Sequence, residues 1–177
     1  MTLTTGDAST AKEELLATLR AVRERWEALI AEVGPERMTI PGVCGDQSVK
    51  DLLGHLTAYT RRWCAQLRSV TTGRPPTMRE LFDVDVLPEE AVTGGETGQN
   101  AAIRALYAPR SLDTVLANWR EASDLLLASV TALSAEDIAT PGGIPDTGSH
   151  LLAEAIAGDT FGHHAHHAAE VRTWLDD

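Results

Sequence analysis

The sequence predicts an all-α protein that folds as a four-helix bundle in one domain. Apolar residues recur at intervals of three and four in four separate segments, which is the spacing that gives a helix one apolar face. No segment alternates apolar and polar residues convincingly over the length of a strand. The 177 residues suit a single domain, 1–177, whose small and polar first residues, 1–10, we expect to be flexible.

The first two predicted helices end at clear breakers. The first carries an apolar stripe and ends at Gly34-Pro35; the stripe is Leu15, Leu19, Val22, Trp26, Leu29 and Val33. The second begins after Ser48, whose hydroxyl can accept a hydrogen bond from the backbone amide of Asp51. It ends before Gly73, and its apolar stripe is Leu52, Leu56, Tyr59, Trp63 and Leu67.

A long connection follows the second helix, from Thr77 to about Gly98. It is acidic and glycine-rich, and Met78–Phe82 is compatible with a short turn. We therefore predict a long loop between helices two and three, and long loops in compact domains are often functional. Asn100–Tyr107 is a candidate for a separate helical piece, because Pro109 interrupts the pattern.

The last two helices follow serine caps. The third is predicted to start near Ser111, and its stripe is Leu112, Val115, Leu116, Trp119, Leu126 and Val130. Ser149 is predicted to cap the fourth, which carries Leu152, Ile156, Val171 and Trp174.

The net charge argues against certain classes of binding partner, and the cysteine count indicates a reducing compartment. A formal net charge of -11, from 26 acidic and 15 basic residues, disfavours nucleic acid and anionic membranes. Two cysteines, Cys44 and Cys64, are too few for a disulfide framework, and the sequence shows neither a signal peptide nor a long apolar run. We therefore expect a cytoplasmic protein whose partners are neither nucleic acid nor membranes. Apolar residues off the main stripes, Leu53 and Leu127, permit a homodimer.

Histidines near the C-terminus predict a divalent-metal site. At about 100° per residue, His163 and His167 lie on the same stripe as Leu152, Ile156 and Trp174, and imidazoles four apart can chelate one metal. His55, at the edge of the second helix's stripe, is the expected third ligand. The alternative is that these histidines are partly exposed residues near the C-terminus of a helix, where a positive charge interacts favourably with the helix dipole. For His164 and His166 we favour that interpretation.

Other residues are candidates for the chemistry around this site. Asp159 and Glu170 point toward the same stripe, where either could hold an imidazole tautomer or act as a base, so we assign them as catalytic candidates. For substrate binding the candidates are aromatic: Tyr59, Trp63 and Trp119. Cys44 is not assigned, because nothing nearby in the sequence lowers its pKa.

Two stretches of the chain resemble a known family. They are Pro41-Gly42-Val43 leading through Ser48-Val49-Lys50-Asp51-Leu52-Leu53-Gly54-His55-Leu56, and Asp159-Thr160-Phe161-Gly162-His163 with His167 and Val171-Arg172-Thr173-Trp174-Leu175. The chain is similar to the DinB/YfiT-like superfamily, and within it most similar to the ClbS/DfsB-like branch. The resemblance implies a four-helix bundle in which His55, His163 and His167 bind nickel or zinc. One departure is Gln47, where many relatives carry a tryptophan.

The resemblance implies two kinds of function. The first is a metal-dependent hydrolase or a thiol transferase that uses a low-molecular-weight thiol, acting on a small electrophilic molecule. The second, implied by the ClbS/DfsB-like branch, is a self-resistance protein that binds, sequesters or hydrolyses a reactive natural product without needing a metal. A fold shared by so many activities does not choose between them.

Overall fold

The computed structural model describes residues 5–82, 88–140 and 151–177, and the regular elements in these ranges are helices. They are α1 (Thr5–Val33), α2 (Val49–Thr72), α3 (Met78–Phe82), α4 (Glu89–Thr93), α5 (Gly95–Tyr107), α6 (Leu112–Ala132), α7 (Ala135–Ala139), α8 (Leu152–Ile156) and α9 (His163–Asp176); a π-helical segment (Ala157–Gly162) joins α8 to α9. The all-α prediction is confirmed, although the helices outnumber the predicted four. Helix α1 begins inside the segment 1–10 that we expected to be flexible.

The predicted caps of the second and third helices are present. Ser48 Oγ accepts from the amide of Asp51 at 3.3 Å, and Asp51 Oδ2 accepts from the amide of Ser48 at 2.9 Å, so both ends of a capping box are made. Ser111 Oγ accepts from the amide of Thr114 at 3.2 Å. These bonds fix where α2 and α6 begin. Ser149, the predicted cap of the last helix, lies outside the described residues.

The buried side chains form two apolar clusters. One lies around Trp26 and Trp119, whose ring centroids are 6.4 Å apart, and the other includes Trp63 and Ile156. Leu53, which we had placed off the main stripe as a candidate dimer contact, is fully buried in the first cluster. Among the described helices, none is both long and apolar enough to cross a membrane.

The connection that we predicted as a long loop is largely helical. Helices α3, α4 and α5 occupy its described residues, and α5 extends the candidate piece Asn100–Tyr107 back to Gly95. Its first two turns are polar and glycine-rich, so no apolar stripe marks them in the sequence. Helix α5 is anchored at its end by buried Tyr107, which packs so closely on Gly54 of α2 that a Cβ there would stand 2.8 Å from Tyr107 Cβ.

The π-helical segment shifts the faces of α9. Because a π-helix takes about one more residue per turn than an α-helix, it rotates everything that follows relative to α8. The buried residues of α9 are therefore His164, Ala168 and Val171, and not His163 and His167. The prediction that His163 and His167 continue the stripe of α8 is wrong for this reason. They lie at the edge of the core, half-buried.

Candidate metal centre

Three histidine side chains from two helices meet at one point. His55 comes from α2, His163 begins α9, and His167 lies one turn further along α9. The Nε2 atoms of His55 and His163 are 2.9 Å apart, and those of His163 and His167 are 3.1 Å apart. All three rings are partly buried and offer nitrogen atoms within 4.8 Å of one another.

The N–H groups of the three rings cannot provide a hydrogen bond for every one of the three Nε2 atoms that meet here. Glu170 Oε2 accepts from His167 Nδ1 at 2.6 Å, and a neutral imidazole that carries its proton on Nδ1 has a bare Nε2. One N–H on His163 can then be directed at His167 or at His55, but not at both. At least two lone pairs therefore face the same centre, which a cation would stabilise.

Burial favours the neutral form of His55 and of His163, which is the form that binds metal. Burial, with the neighbouring histidines His163, His167 and His164, lowers the pKa of His55 to about 3. Burial and the adjacent rings also lower the pKa of His163 to about 4. Two nitrogens bound at about 2.0–2.1 Å to one metal ion stand about 3.0–3.4 Å apart, and the observed separations lie close to that range. The residues present fit a divalent metal ion.

Glu170 holds one of the three rings in place through a hydrogen bond, and the pKa values of Glu170 and Cys44 are both shifted. Partial burial would raise the pKa of Glu170, but hydrogen bonds from His167 and Cys44 outweigh it, so that the pKa lies below its usual value. The same hydrogen bond to Glu170, with burial, raises the pKa of the Cys44 thiol. A raised pKa favours the thiol form of Cys44 over the thiolate.

The other two histidines of the tract have different surroundings. His166 is exposed, as we expected, and its Nε2 lies 3.6 Å from Glu170 Oε1. His164 is buried, contrary to our expectation, with Nε2 3.2 Å from Thr60 Oγ1 and its ring edge-on to Trp26. The rotation introduced by the π-helical segment places His164 in the core. It is a structural histidine beneath the site.

The three histidines lie on the wall of a cavity of about 880 Å³. Helix α2 contributes Asp51, His55, Tyr59 and Arg62 to its lining, and the polar face of α5 lies opposite. Tyr59 donates to Asn100 Oδ1 at 2.9 Å and Arg62 donates to Gln99 Oε1 at 3.4 Å, so these bonds join the two walls. Cys44 and Gln47 line the same cavity.

Of the three aromatic candidates for substrate binding, the structure brings only Tyr59 to this cavity, with its ring centroid 4.7 Å from that of His55. Trp63 is buried in the second apolar cluster, and Trp119 is buried at the interface with Trp26. Neither Trp63 nor Trp119 lines this cavity, because both side chains are buried against neighbouring helices. The side chain of Asp159 lies outside the described residues.

Sequence reasoning missed several residues of the cavity wall. Arg62 follows His55 by seven residues, which is two helical turns, and this spacing alone would have placed it on the same face. Gln99 and Asn100 had no comparable signal, because the polar start of α5 was predicted as loop. Cys44 and Glu170 affect each other's pKa although they are more than 120 positions apart, and no local pattern in the sequence predicts this.

Comparison with known proteins identifies the family. A family model described as the DinB superfamily matches residues 41–171, well over half of the chain. No curated protein and no solved structure matches the chain. The matched residues include His55, His163, His167 and Glu170, and on this match the chain belongs to the DinB superfamily.

Proposed function

We propose that this protein is a metal-dependent enzyme that acts on a small electrophilic molecule, as a hydrolase or as a thiol transferase. The observation that carries the proposal is the convergence of three imidazoles on the wall of a large cavity. Sites with three histidine ligands and an open position are typical of catalytic metal centres. Nickel and zinc are the ions we propose, because both suit imidazole ligands.

The protein's own groups divide the work at this site. His55, His163 and His167 would hold the ion, which supplies Lewis-acid chemistry that activates a water or thiol nucleophile at neutral pH. Glu170 fixes the tautomer and the direction of the His167 ring through their 2.6 Å hydrogen bond. Glu170 is thus a positioning residue in this proposal, which is one of the two roles, holding a tautomer or acting as a base, that the sequence left open. Asp159 remains our candidate for moving a proton.

A thiol co-substrate and a bulkier substrate are both compatible with the cavity. A volume of about 880 Å³ lies near the upper end of the usual range for small-molecule sites, about 300–1,000 Å³. The same volume favours, as a second candidate, a self-resistance protein of the ClbS/DfsB-like kind, which would bind a reactive natural product without a metal. Of the three aromatic residues that we first assigned to ligand binding, Tyr59 would then line the cavity.

Elemental analysis tests the leading proposal. Protein purified without a histidine tag and dialysed against a weak chelator should hold nickel, zinc or another divalent ion at near one equivalent. His55→Ala, His163→Ala and His167→Ala should each lose it. His166→Ala is the matched control, because His166 is on the same helix but exposed, and it should keep the metal.

The two candidate functions predict opposite responses to a chelator. Turnover of electrophilic test substrates, with and without an added thiol, should stop when the metal is removed and return when it is restored. A folded protein that holds no metal, together with ligand binding that is indifferent to chelator, would reject the enzyme proposal in favour of sequestration.

A further inference from the structure

Helix α9 carries a second group of metal-ligating side chains beside the first three histidines. It consists of His166, His167 and Glu170, whose ligand atoms lie within 4.8 Å of one another. Glu170 follows His166 by four residues and His167 by three, so the three side chains share one face of the helix. This group overlaps the first site at His167 and adds a carboxylate and an exposed imidazole to it.

The carboxylate of Glu170 faces two different imidazoles with its two oxygens. Oε2 accepts from Nδ1 of His167 at 2.6 Å, and this bond holds the ring whose Nε2 faces the first site. Oε1 lies 3.6 Å from Nε2 of His166, which is longer than a hydrogen bond. Glu170 is therefore held through one oxygen, while its other oxygen stands beside His166 without being bonded to it.

The distance between His166 and Glu170 suits a shared ion. A nitrogen and an oxygen that each bind one zinc ion at about 2.0–2.2 Å stand about 3.0–3.5 Å apart, and the observed 3.6 Å exceeds this range only slightly. The side chain of His166 is 68% exposed, so it can turn through the remaining distance without disturbing the core. His166 also forms part of the cavity wall, which places the pair at the rim of the cavity.

We propose that His166 and Glu170 bind a second divalent ion, with the chemistry of zinc, at the rim of the cavity. Two protein ligands leave coordination positions for water or for an anionic group of a molecule in the cavity. This site is weaker than the first, because it has two protein ligands instead of three and because two nearby cations repel each other. The inference goes beyond the proposed function, since it does not require the first ion to be catalytic.

Equilibrium dialysis of metal-free protein, purified without a histidine tag, against rising concentrations of zinc tests the second site. The wild type should bind two equivalents, and the weak chelator that leaves the first ion in place should remove the second. His166→Ala should lose the second equivalent and keep the first. Glu170→Gln should also lose the second and, through His167, weaken the first about 10- to 100-fold.

A matched control is available on the same helix. Asp176→Asn neutralises an exposed carboxylate of α9 and should still bind both equivalents. A wild type that binds only one equivalent would overturn the inference, and so would a second equivalent that survives in His166→Ala or in Glu170→Gln.

A second measurement reports where the ion binds. The nitrogen-15 resonances of the His166 imidazole can be assigned from their absence in His166→Ala, and zinc beyond the first equivalent should shift them. Glu170→Gln should remove this response. An equal response in Glu170→Gln would mean that a lone surface imidazole binds the zinc, and the inference would be wrong. A wild type without the tight first equivalent would refute the proposed function, while the response of His166 would still decide the second site.

Discussion

His163 and His164 are adjacent in the chain, but their side chains point to different surroundings, one at the cavity and one in the core. The Nε2 of His163 lies 2.9 Å from that of His55 at the cavity, whereas the Nε2 of His164 lies 3.2 Å from Thr60 Oγ1 within the core. Trp26 Nε1 also donates to the carbonyl oxygen of His164 at 3.1 Å. His163 therefore faces the candidate metal site, and His164 anchors the helix that carries both residues.

Replacing these two histidines should separate metal binding from stability. His164→Ala removes a buried ring and leaves the Thr60 hydroxyl without this partner, so it should lower the free energy of unfolding by about 2–4 kcal/mol. His163→Ala should abolish metal binding while changing the stability of metal-free protein by less than about 1 kcal/mol. Urea unfolding and elemental analysis of both variants check this. The reverse pattern, with metal lost only in the folded His164→Ala protein, would contradict our assignment.

The stability of the metal-free protein should fall as the pH is lowered below about 6.5. Burial first, and the nearby His163 and His167, lower the pKa of His164 to about 3. The unfolded chain therefore binds protons from about pH 6.5 downward while the folded protein does not, and falling pH favours unfolding. Each such histidine contributes up to about 1.4 kcal/mol per pH unit.

Urea midpoints between pH 7.5 and 5.5 measure this dependence. His164→Gln should flatten it, because one of the titrating groups is gone. A midpoint that stays constant for the wild type over this range would show that the buried histidines do not govern acid stability.

Adding a methyl group to Gly54 should displace α5 from α2. A Cβ at this position would stand 2.8 Å from Tyr107 Cβ, closer than real contacts permit, so Gly54→Ala should cost about 1–3 kcal/mol. Gly158→Ala is the control, because a Cβ there meets nothing within 4 Å. Thermal unfolding of the two variants gives the comparison. Equal melting temperatures would mean that α5 does not pack where we find it.

Removing one hydroxyl should loosen the wall of the cavity. Tyr59→Phe deletes the 2.9 Å hydrogen bond to Asn100 that ties α2 to α5, which should cost about 0.5–1.5 kcal/mol. The backbone amides of α5 should then exchange hydrogen faster, while those of α6 should not change. Hydrogen exchange measured by mass spectrometry checks both helices, and uniform acceleration in both would point to a global effect.

Local patterns in the sequence determined much of the helical frame. Ser48 and Ser111 cap α2 and α6 as predicted, because a cap depends on residues only three positions away. The apolar spacing located α1, α2, α6 and the C-terminal helices for the same reason, since one helical face is set by intervals of three and four. The spacing of His163 and His167 was likewise readable as a pair on one face of a helix.

Tertiary packing decided which side chains reach the site. The π-helical segment turned His164 into the core, because the register of α9 is set by what packs against it and not by an unbroken 3.6-residue period. Polar α5 became a wall of the cavity through contacts with Gly54, Tyr59 and Arg62. The turn before α2 packs on α9, where a Cβ on Gly42 would lie 3.7 Å from Nε1 of Trp174, more than 120 residues later in the chain. Such contacts depend on the packing of distant segments, which an apolar period does not encode.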